Sequence, residues 1–156
     1  MGVDVRTEIV IDRPREVVAA FAADPARAPE WYANIRSVEW RTPPPVAVGS
    51  RVAFVASFLG RRLAYTYEVR EYVPGERLVM STADGPFPME TTYAWAESSG
   101  GTRMTLRNRG EPSGFSRVAA PAMAAAMRRA NRKDLERLKE ILEAAGSSTT
   151  GLGQRN

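Results

Sequence analysis

The chain has 156 residues, of which 44% are apolar, and it contains neither cysteine nor histidine. These absences exclude disulfides, thiol nucleophiles, zinc sites with the usual ligands and every catalytic triad that needs histidine. Any catalysis would have to use carboxylates, tyrosines, arginines, amides or bound water, and we expect no metal or other cofactor.

A net charge of +4 and a pI near 9.8 raise the possibility of a nucleic-acid partner. The positive charge, however, is scattered along the chain, and 20 of the 22 basic residues are arginine. The densest basic group, 128–133, shares its helix with Glu136, Glu140 and Glu143, and such mixed surfaces are usually solvated. We therefore expect no nucleic-acid partner.

No apolar run approaches the ~20 residues that span a bilayer. The amino-terminal segment also lacks the apolar stretch of a signal peptide, so a cytoplasmic protein is expected. The length predicts one domain.

Apolar and polar residues alternate in the segment Val3–Ile11, which predicts a strand with one buried face. A short helix is expected next, with Asp12 as its cap and Pro14 in its first turn. Asp24, followed by proline, repeats this signal for a second short helix that ends near Trp31.

Six more runs then have the period of strands, separated by turn residues. They are Ile35–Arg41, Arg51–Leu59, Leu63–Val73, Arg77–Thr82, Phe87–Trp95 and Arg103–Asn108.

One long amphipathic helix, about 115–145, follows the last strand, and Pro121 marks its start or a bend in its first turns. Residues 146–156 lack apolar periodicity, which predicts a disordered tail after a single domain of residues 1–145. A mostly antiparallel sheet and one terminal helix bury both apolar faces if the sheet curls around the helix. This α+β arrangement tends to leave a cavity between them.

The long helix has one polar residue in its apolar stripe. At 100° per residue, Met127, Asn131, Leu135, Leu138 and Leu142 share one face. An amide there needs a partner, because leaving it unpaired costs about 1–3 kcal/mol. Two interpretations remain open: a core amide bonded to a strand backbone or a tyrosine, or a ligand contact in a cavity.

The roles of other inward-facing residues can also be interpreted in two ways. Tyr65 and Tyr67 on one strand and Tyr93 on another fall on inward faces, where core packing or catalysis would both explain them. Asn108 ends the inward face of its strand. Five inward methionines would suit either core filling or a pocket for flexible apolar ligands: Met80, Met89, Met104, Met123 and Met127.

Glu30, Asp84 and Glu90 are the carboxylates nearest the expected mouth of the cavity. None of them is spaced from a base in a way that indicates catalysis, and Glu90 falls on the outward face of its strand.

Several segments together resemble a known family. They are IDRPREVVAAFAADPARAPEW, VGSRVAF, YEVREYVPGERLVMST, GTRMTL and DLERLKEILE. Their order and spacing are similar to the polyketide cyclase/dehydrase-type branch of the START-related helix-grip superfamily (SRPBCC). The resemblance implies a seven-stranded curved antiparallel sheet wrapped around the carboxyl-terminal helix, with two short helices between the first and second strands. It also implies a cavity for hydrophobic small molecules such as lipids, polyketides or hormones.

The resemblance also assigns positions to the cavity and its mouth. The gating loops would be Ala83–Pro88 and Gly110–Phe115. The expected ligand-binding residues are Phe54, Phe58, Tyr65, Tyr67, Met80, Met89, Tyr93, Asn108, Met127 and Asn131.

Three functions follow. The first is binding or carrying a small hydrophobic, lipid- or polyketide-like molecule, by a monomer or homodimer. The alternative is a cofactor-free cyclase or dehydratase that uses cavity tyrosine and asparagine. Aromatase/cyclases of the superfamily use cavity arginine, tyrosine, serine or histidine, whereas this chain has no histidine and its strand arginines face outward, so binding is favoured. The third is an interaction module with an exposed apolar groove.

Overall fold

The computed structural model describes residues 3–58, 60–84, 88–110 and 120–153. Its strands are β1 (Val3–Ile11), β2 (Ile35–Trp40), β3 (Arg51–Phe58), β4 (Arg61–Val73), β5 (Arg77–Asp84), β6 (Met89–Ser98) and β7 (Gly101–Gly110). Its helices are α1 (Arg15–Ala22), α2 (Ala28–Trp31), which follows a 3-10 turn at Pro25–Arg27, and α3 (Ala120–Gly153).

The strands form one seven-stranded sheet in the order β1-β7-β6-β5-β4-β3-β2. Every neighbouring pair is antiparallel. The helices α1 and α2 lie between β1 and β2 in the chain, and α3 follows the last strand. The helix-grip architecture expected from the sequence is therefore confirmed.

Irregular pairing bends the sheet. The register between β2 and β3 shifts near Ile35, and the register between β4 and β5 shifts at Thr66/Tyr67 and at Val69/Glu71. An extra residue in one strand increases the local twist and bends that strand. The 13-residue β4 can therefore curve, and the sheet becomes concave toward α3.

The apolar stripe of α3 is buried as predicted. Leu135, Leu138 and Leu142 join the main core, which also contains the tryptophans of α2 and β6. Met123 and Met127 form a second cluster with the first residues of β1. The helix therefore packs against the sheet at two places along its length.

The caps of the short helices differ from one another. Asp24 accepts a hydrogen bond from the backbone N–H of Ala26 at 3.0 Å, which confirms the predicted cap. The prediction for Asp12 is wrong, because α1 begins after Pro14 with no side-chain cap. Asp12 lies too far before this start, and its backbone N–H donates instead to the Glu143 carboxylate at 2.9 Å.

The described part of helix α3 begins at Ala120, one residue before Pro121, so the prediction that Pro121 marks the start of the helix or a bend in its first turns stays a prediction. Residues 115–119 of the expected helix lie outside the described residues. At its other end the helical backbone continues to Gly153, although the sequence predicts a disordered tail from residue 146. No proline interrupts this stretch, and a glycine within a helix costs only about 1 kcal/mol. No described helix is long and apolar enough to cross a membrane.

Candidate functional site

A cavity of about 150 Å³ lies between the sheet and α3. Its wall is mainly apolar and aromatic, with a few polar groups, which is the usual composition of a small-molecule site. The described lining residues come from six strands, β2 to β7, from α3, and from α1, α2 and the segments next to them. They are Ala22, Ala23, Asp24, Pro25, Ala28, Tyr32, Asn34, Ile35, Phe54, Ala56, Leu63, Tyr65, Tyr67, Leu78, Met80, Thr82, Met89, Thr91, Tyr93, Asn108, Met123, Met127, Ala130, Asn131 and Asp134.

Three aromatic rings from β3 and β4 form one side of the cavity. Tyr65 and Tyr67 are two residues apart on β4, so their side chains leave the same face of the sheet. Phe54 pairs directly with Tyr65 across the β3–β4 ladder, and their ring centroids are 5.7 Å apart. The Tyr65 and Tyr67 rings meet edge to face at 5.1 Å. The register between β3 and β4 therefore brings these three rings together on one side of the cavity.

Tyr67, Thr91 and Asn108 form a hydrogen-bonded chain across β4, β6 and β7. The Thr91 hydroxyl donates to the Asn108 carbonyl oxygen at 2.7 Å. Because a hydroxyl has only one hydrogen, Tyr67 must donate to Thr91 in the 2.8 Å contact between their oxygens. Burial raises the pKa of Tyr67 to about 12, so this chain stays neutral.

A second pair of phenols joins the segment after α2 to β6. The Tyr32 and Tyr93 hydroxyl oxygens are 2.5 Å apart. Burial is the main cause that raises the pKa of both hydroxyls well above the usual value. One hydroxyl donates to the other, so the second retains its hydrogen for another acceptor.

The side-chain amide of Asn131 is buried. The residue is 6% exposed, and its Nδ2 donates no hydrogen bond to any described residue. Asn131 is one of the residues that line the cavity, and it lies in the apolar stripe of α3. Among the described residues the amide is therefore not a satisfied core amide, and its contact with a ligand stays a prediction.

Asp134 adds a carboxyl to the same wall. It is 3% exposed, and its Oδ1 accepts a hydrogen bond from the Ala33 backbone N–H at 3.1 Å. Burial outweighs this bond and raises the pKa of the carboxyl to about 6. No lysine or arginine is among the described lining residues, so no cation of the cavity wall neutralises the carboxylate.

Asn131 and Asp134 lie three residues apart on α3, so their side chains share one face. They bring an amide and an acidic group together on the wall of a mainly apolar cavity. No group of acidic side chains suited to hold a metal ion is found among the described residues. The chemistry that the site offers is hydrogen bonding and proton transfer.

The sequence profile of a family described as polyketide cyclase/dehydrase and lipid transport matches residues 2–143. The chain belongs to this family. No protein with a curated function matches the sequence. The polyketide cyclase/dehydrase family and the helix-grip fold suggest a role in hydrophobic ligand binding or in polyketide cyclisation.

Solved structures share the fold at low identity. TTHA0849 from Thermus thermophilus is 22% identical, with a TM-score of 0.79 over 91% of this chain and 98% of that chain. A START superfamily protein from Mycobacterium smegmatis is 12% identical, with a TM-score of 0.78 over 91% and 98%. The Zhui aromatase/cyclase from a Streptomyces species is 14% identical, with a TM-score of 0.76 over 92% and 94%. These likenesses support the fold of the family.

The cavity brings together most of the residues that the sequence analysis selected. Those on its wall are Phe54, Tyr65, Tyr67, Met80, Met89, Tyr93, Asn108, Met127 and Asn131. The side chain of Phe58 lies outside the described part of the structure. The role of these residues in binding a ligand stays a prediction.

The sequence analysis missed Tyr32 and Asp134. The signal for Asp134 was present, because it lies three residues after Asn131 and four before Leu138, in the same stripe. The signal for Tyr32 was absent, since it follows a four-residue helix with no periodicity to orient its side chain.

The carboxylates selected from the sequence lie elsewhere. Glu30 and Glu90 are at the surface, where they contact Arg27 and Arg109 at 3.4 and 3.2 Å. Neither lines the cavity. The side chain of Asp84 lies outside the described residues, as do residues 85–87 of the first expected gating loop and 111–115 of the second.

Proposed function

We propose that this protein binds a small hydrophobic molecule, lipid- or polyketide-like, in the cavity between the sheet and α3. The observation that carries the proposal is the buried Nδ2 of Asn131, which has no partner among the described residues although Asn131 belongs to a mainly apolar cavity wall. A buried polar group without a partner costs free energy, and a ligand that supplies the partner would remove this cost.

The size of the cavity limits what enters it. An apolar cavity of on the order of 150 Å³ holds a benzene-sized molecule. The volume here, about 150 Å³, is below the ~300 Å³ at which pockets for drug-sized ligands begin. We therefore propose that one ring or one apolar end of a larger ligand occupies the cavity.

A substitution that fills the cavity tests this function. Ala130 lines the cavity, whereas Ala125 is exposed on the same helix. Ethylbenzene should raise the melting temperature of the wild type and of Ala125→Phe, but it should not raise that of Ala130→Phe. An unchanged response of Ala130→Phe would place binding outside the cavity.

A second candidate function, cofactor-free cyclisation or dehydration, is favoured by Asp134. A carboxyl with a pKa of about 6 is mostly ionised near neutral pH, and its pKa lies close to that pH, as suits a general base. Its carboxylate would take a proton from the carbon beside a ligand carbonyl, and the free hydroxyl hydrogen of the Tyr32–Tyr93 pair would donate to the enolate oxygen. In a dehydration, the protonated Asp134 would then return the proton to the departing hydroxyl, which leaves as water.

A phenyl-substituted β-hydroxy ketone is a suitable probe, because its dehydration gives an enone that absorbs in the near ultraviolet. The enzyme function predicts a rate that rises with pH around about 6 and that is lost in Asp134→Asn. Equal rates for the wild type and Asp134→Asn would contradict catalysis and leave binding unaffected.

The remaining expectations concern the protein as a whole. We propose a cytoplasmic protein that acts as a monomer or homodimer without a nucleic-acid partner. The third function, an interaction module, has little support. The large apolar side chains that are exposed among the described residues are three valines in different parts of the fold: Val10 on β1, Val48 between β2 and β3, and Val73 on β4.

A further inference from the structure

The polar groups of the cavity define which ligands suit it, and this inference rests on the proposed binding function. Asn131 presents an N–H donor with no acceptor among the described residues. Asp134 uses Oδ1 to accept from Ala33, while its Oδ2 receives no hydrogen bond from any described residue. One helix face therefore offers an unused donor and an unused acceptor one turn apart.

We propose that the cavity selects a ring-bearing molecule with a neutral hydroxyl group and discriminates against carboxylates. A hydroxyl accepts one hydrogen bond and donates another, so it can satisfy Asn131 and Asp134 together.

The charge of the cavity wall would weaken the binding of carboxylates. The described wall contains Asp134 and Asp24 but no lysine or arginine. A ligand carboxylate buried here would lose its hydration, meet a like charge and find no cation, each of which is unfavourable. The phenols on the wall do not offset this, because burial raises the pKa of Tyr32, Tyr65, Tyr67 and Tyr93 and keeps them neutral.

An ammonium ligand fits less well than a hydroxyl. It would pair with the Asp134 carboxylate, but an ammonium has three donors and no acceptor. The Asn131 N–H would then remain unpartnered and would face a positive charge. The amide is the observation that distinguishes a hydroxyl from a cation.

Four probes separate these possibilities: ethylbenzene, benzyl alcohol, benzylamine and benzoate. The first three have the same size and differ in one group. Affinities are measured by calorimetry at about pH 8, where Asp134, with a pKa of about 6, is ionised. Benzyl alcohol should bind at least about tenfold more tightly than benzoate, since each 1.4 kcal/mol is a factor of ten. It should also bind more tightly than benzylamine.

Two variants assign the effect to its residues. Asn131→Leu should weaken benzyl alcohol by about three- to tenfold, the value of one hydrogen bond, and leave ethylbenzene unchanged or tighter. Asp134→Asn should strengthen benzoate by about tenfold or more, because it removes the like charge while keeping the shape. Exposed Glu97→Gln is the control and should alter none of the four affinities.

The outcomes are distinguishable. If ethylbenzene binds but benzoate or benzylamine binds as tightly as benzyl alcohol, the proposed selection is overturned and the binding function stands. The proposed selection is also overturned if the ratios of the four probe affinities are the same in both variants as in the wild type. If none of the four probes binds, the proposed function fails and this inference fails with it.

Discussion

Two buried asparagines line the same cavity and differ in their hydrogen bonding. Asn108 accepts a hydrogen bond from Thr91 at 2.7 Å, whereas Asn131 has an unpartnered Nδ2 among the described residues. A polar group that is buried with a partner stabilises the fold, and one without a partner opposes it. The same substitution at the two sites should therefore have opposite effects.

Asn131→Leu should increase the free energy of unfolding of the apo protein by about 1–3 kcal/mol, because it removes a buried N–H donor that has no acceptor among the described residues. Asn108→Leu should decrease it by about 1–3 kcal/mol, because one hydroxyl hydrogen of Tyr67 or Thr91 loses its acceptor. Urea denaturation measures both. A destabilised Asn131→Leu protein would mean that the amide has a structural partner.

The Asp134 carboxyl makes stability depend on pH. Burial raises its pKa from 3.8 to about 6, so the folded protein holds this proton more tightly than the unfolded chain does. Stability from this group is therefore greatest below about pH 4 and is lost as the pH rises through about 6. The shift corresponds to roughly 3 kcal/mol at 1.36 kcal/mol per pKa unit.

Asp134→Asn should accordingly be more stable than the wild type by up to roughly 3 kcal/mol at about pH 8, and equally stable near pH 4. The Asn side-chain oxygen can still accept from Ala33, so the comparison isolates the charge. Denaturation of both proteins across this pH range measures the difference, with Glu97→Gln as the surface control. A constant difference at all pH values would show that the carboxyl titrates normally.

At the scale of elements, α3 depends on its buried leucines. Leu138 is fully buried at the centre of the stripe, in contact with the main core. Leu138→Ala should lower the free energy of unfolding by about 2–5 kcal/mol, through lost apolar contacts and the void left behind.

Glu136 is the matched control, because it is exposed on the same helix. Glu136→Ala should change stability by less than about 0.5 kcal/mol. Chemical denaturation compares the two variants. A near-neutral Leu138→Ala would mean that the sheet does not grip the helix through this face.

At the scale of the whole molecule, the chain contains no cysteine and no histidine. We expect one cooperative unfolding transition that neither a reductant nor a metal chelator changes, since the usual ligands of such bonds and sites are missing. Calorimetry with and without each reagent tests this. A lower melting temperature with chelator would reveal a metal held by oxygen ligands.

The sequence by itself determined the fold, because each element has a strong local signal. Period-two alternation gives the strand faces, proline and glycine give the turns, and the stripe from Met127 to Leu142 orients the helix. A sheet and one helix with these apolar faces can bury both in few ways. The residues on the inward faces, including Tyr67 and Asn131, followed from the same periodicity.

The tertiary structure decided how the polar groups of the cavity are paired. Hydrogen-bond partners of Tyr67 and Asn108 come from other strands, and Asp134 meets the backbone of Ala33 across the fold. Only this packing reveals that Asn131 has no described partner and that burial raises the pKa of Asp134. Periodicity fixes the face on which a side chain lies, whereas partners and desolvation depend on elements that are distant in the chain.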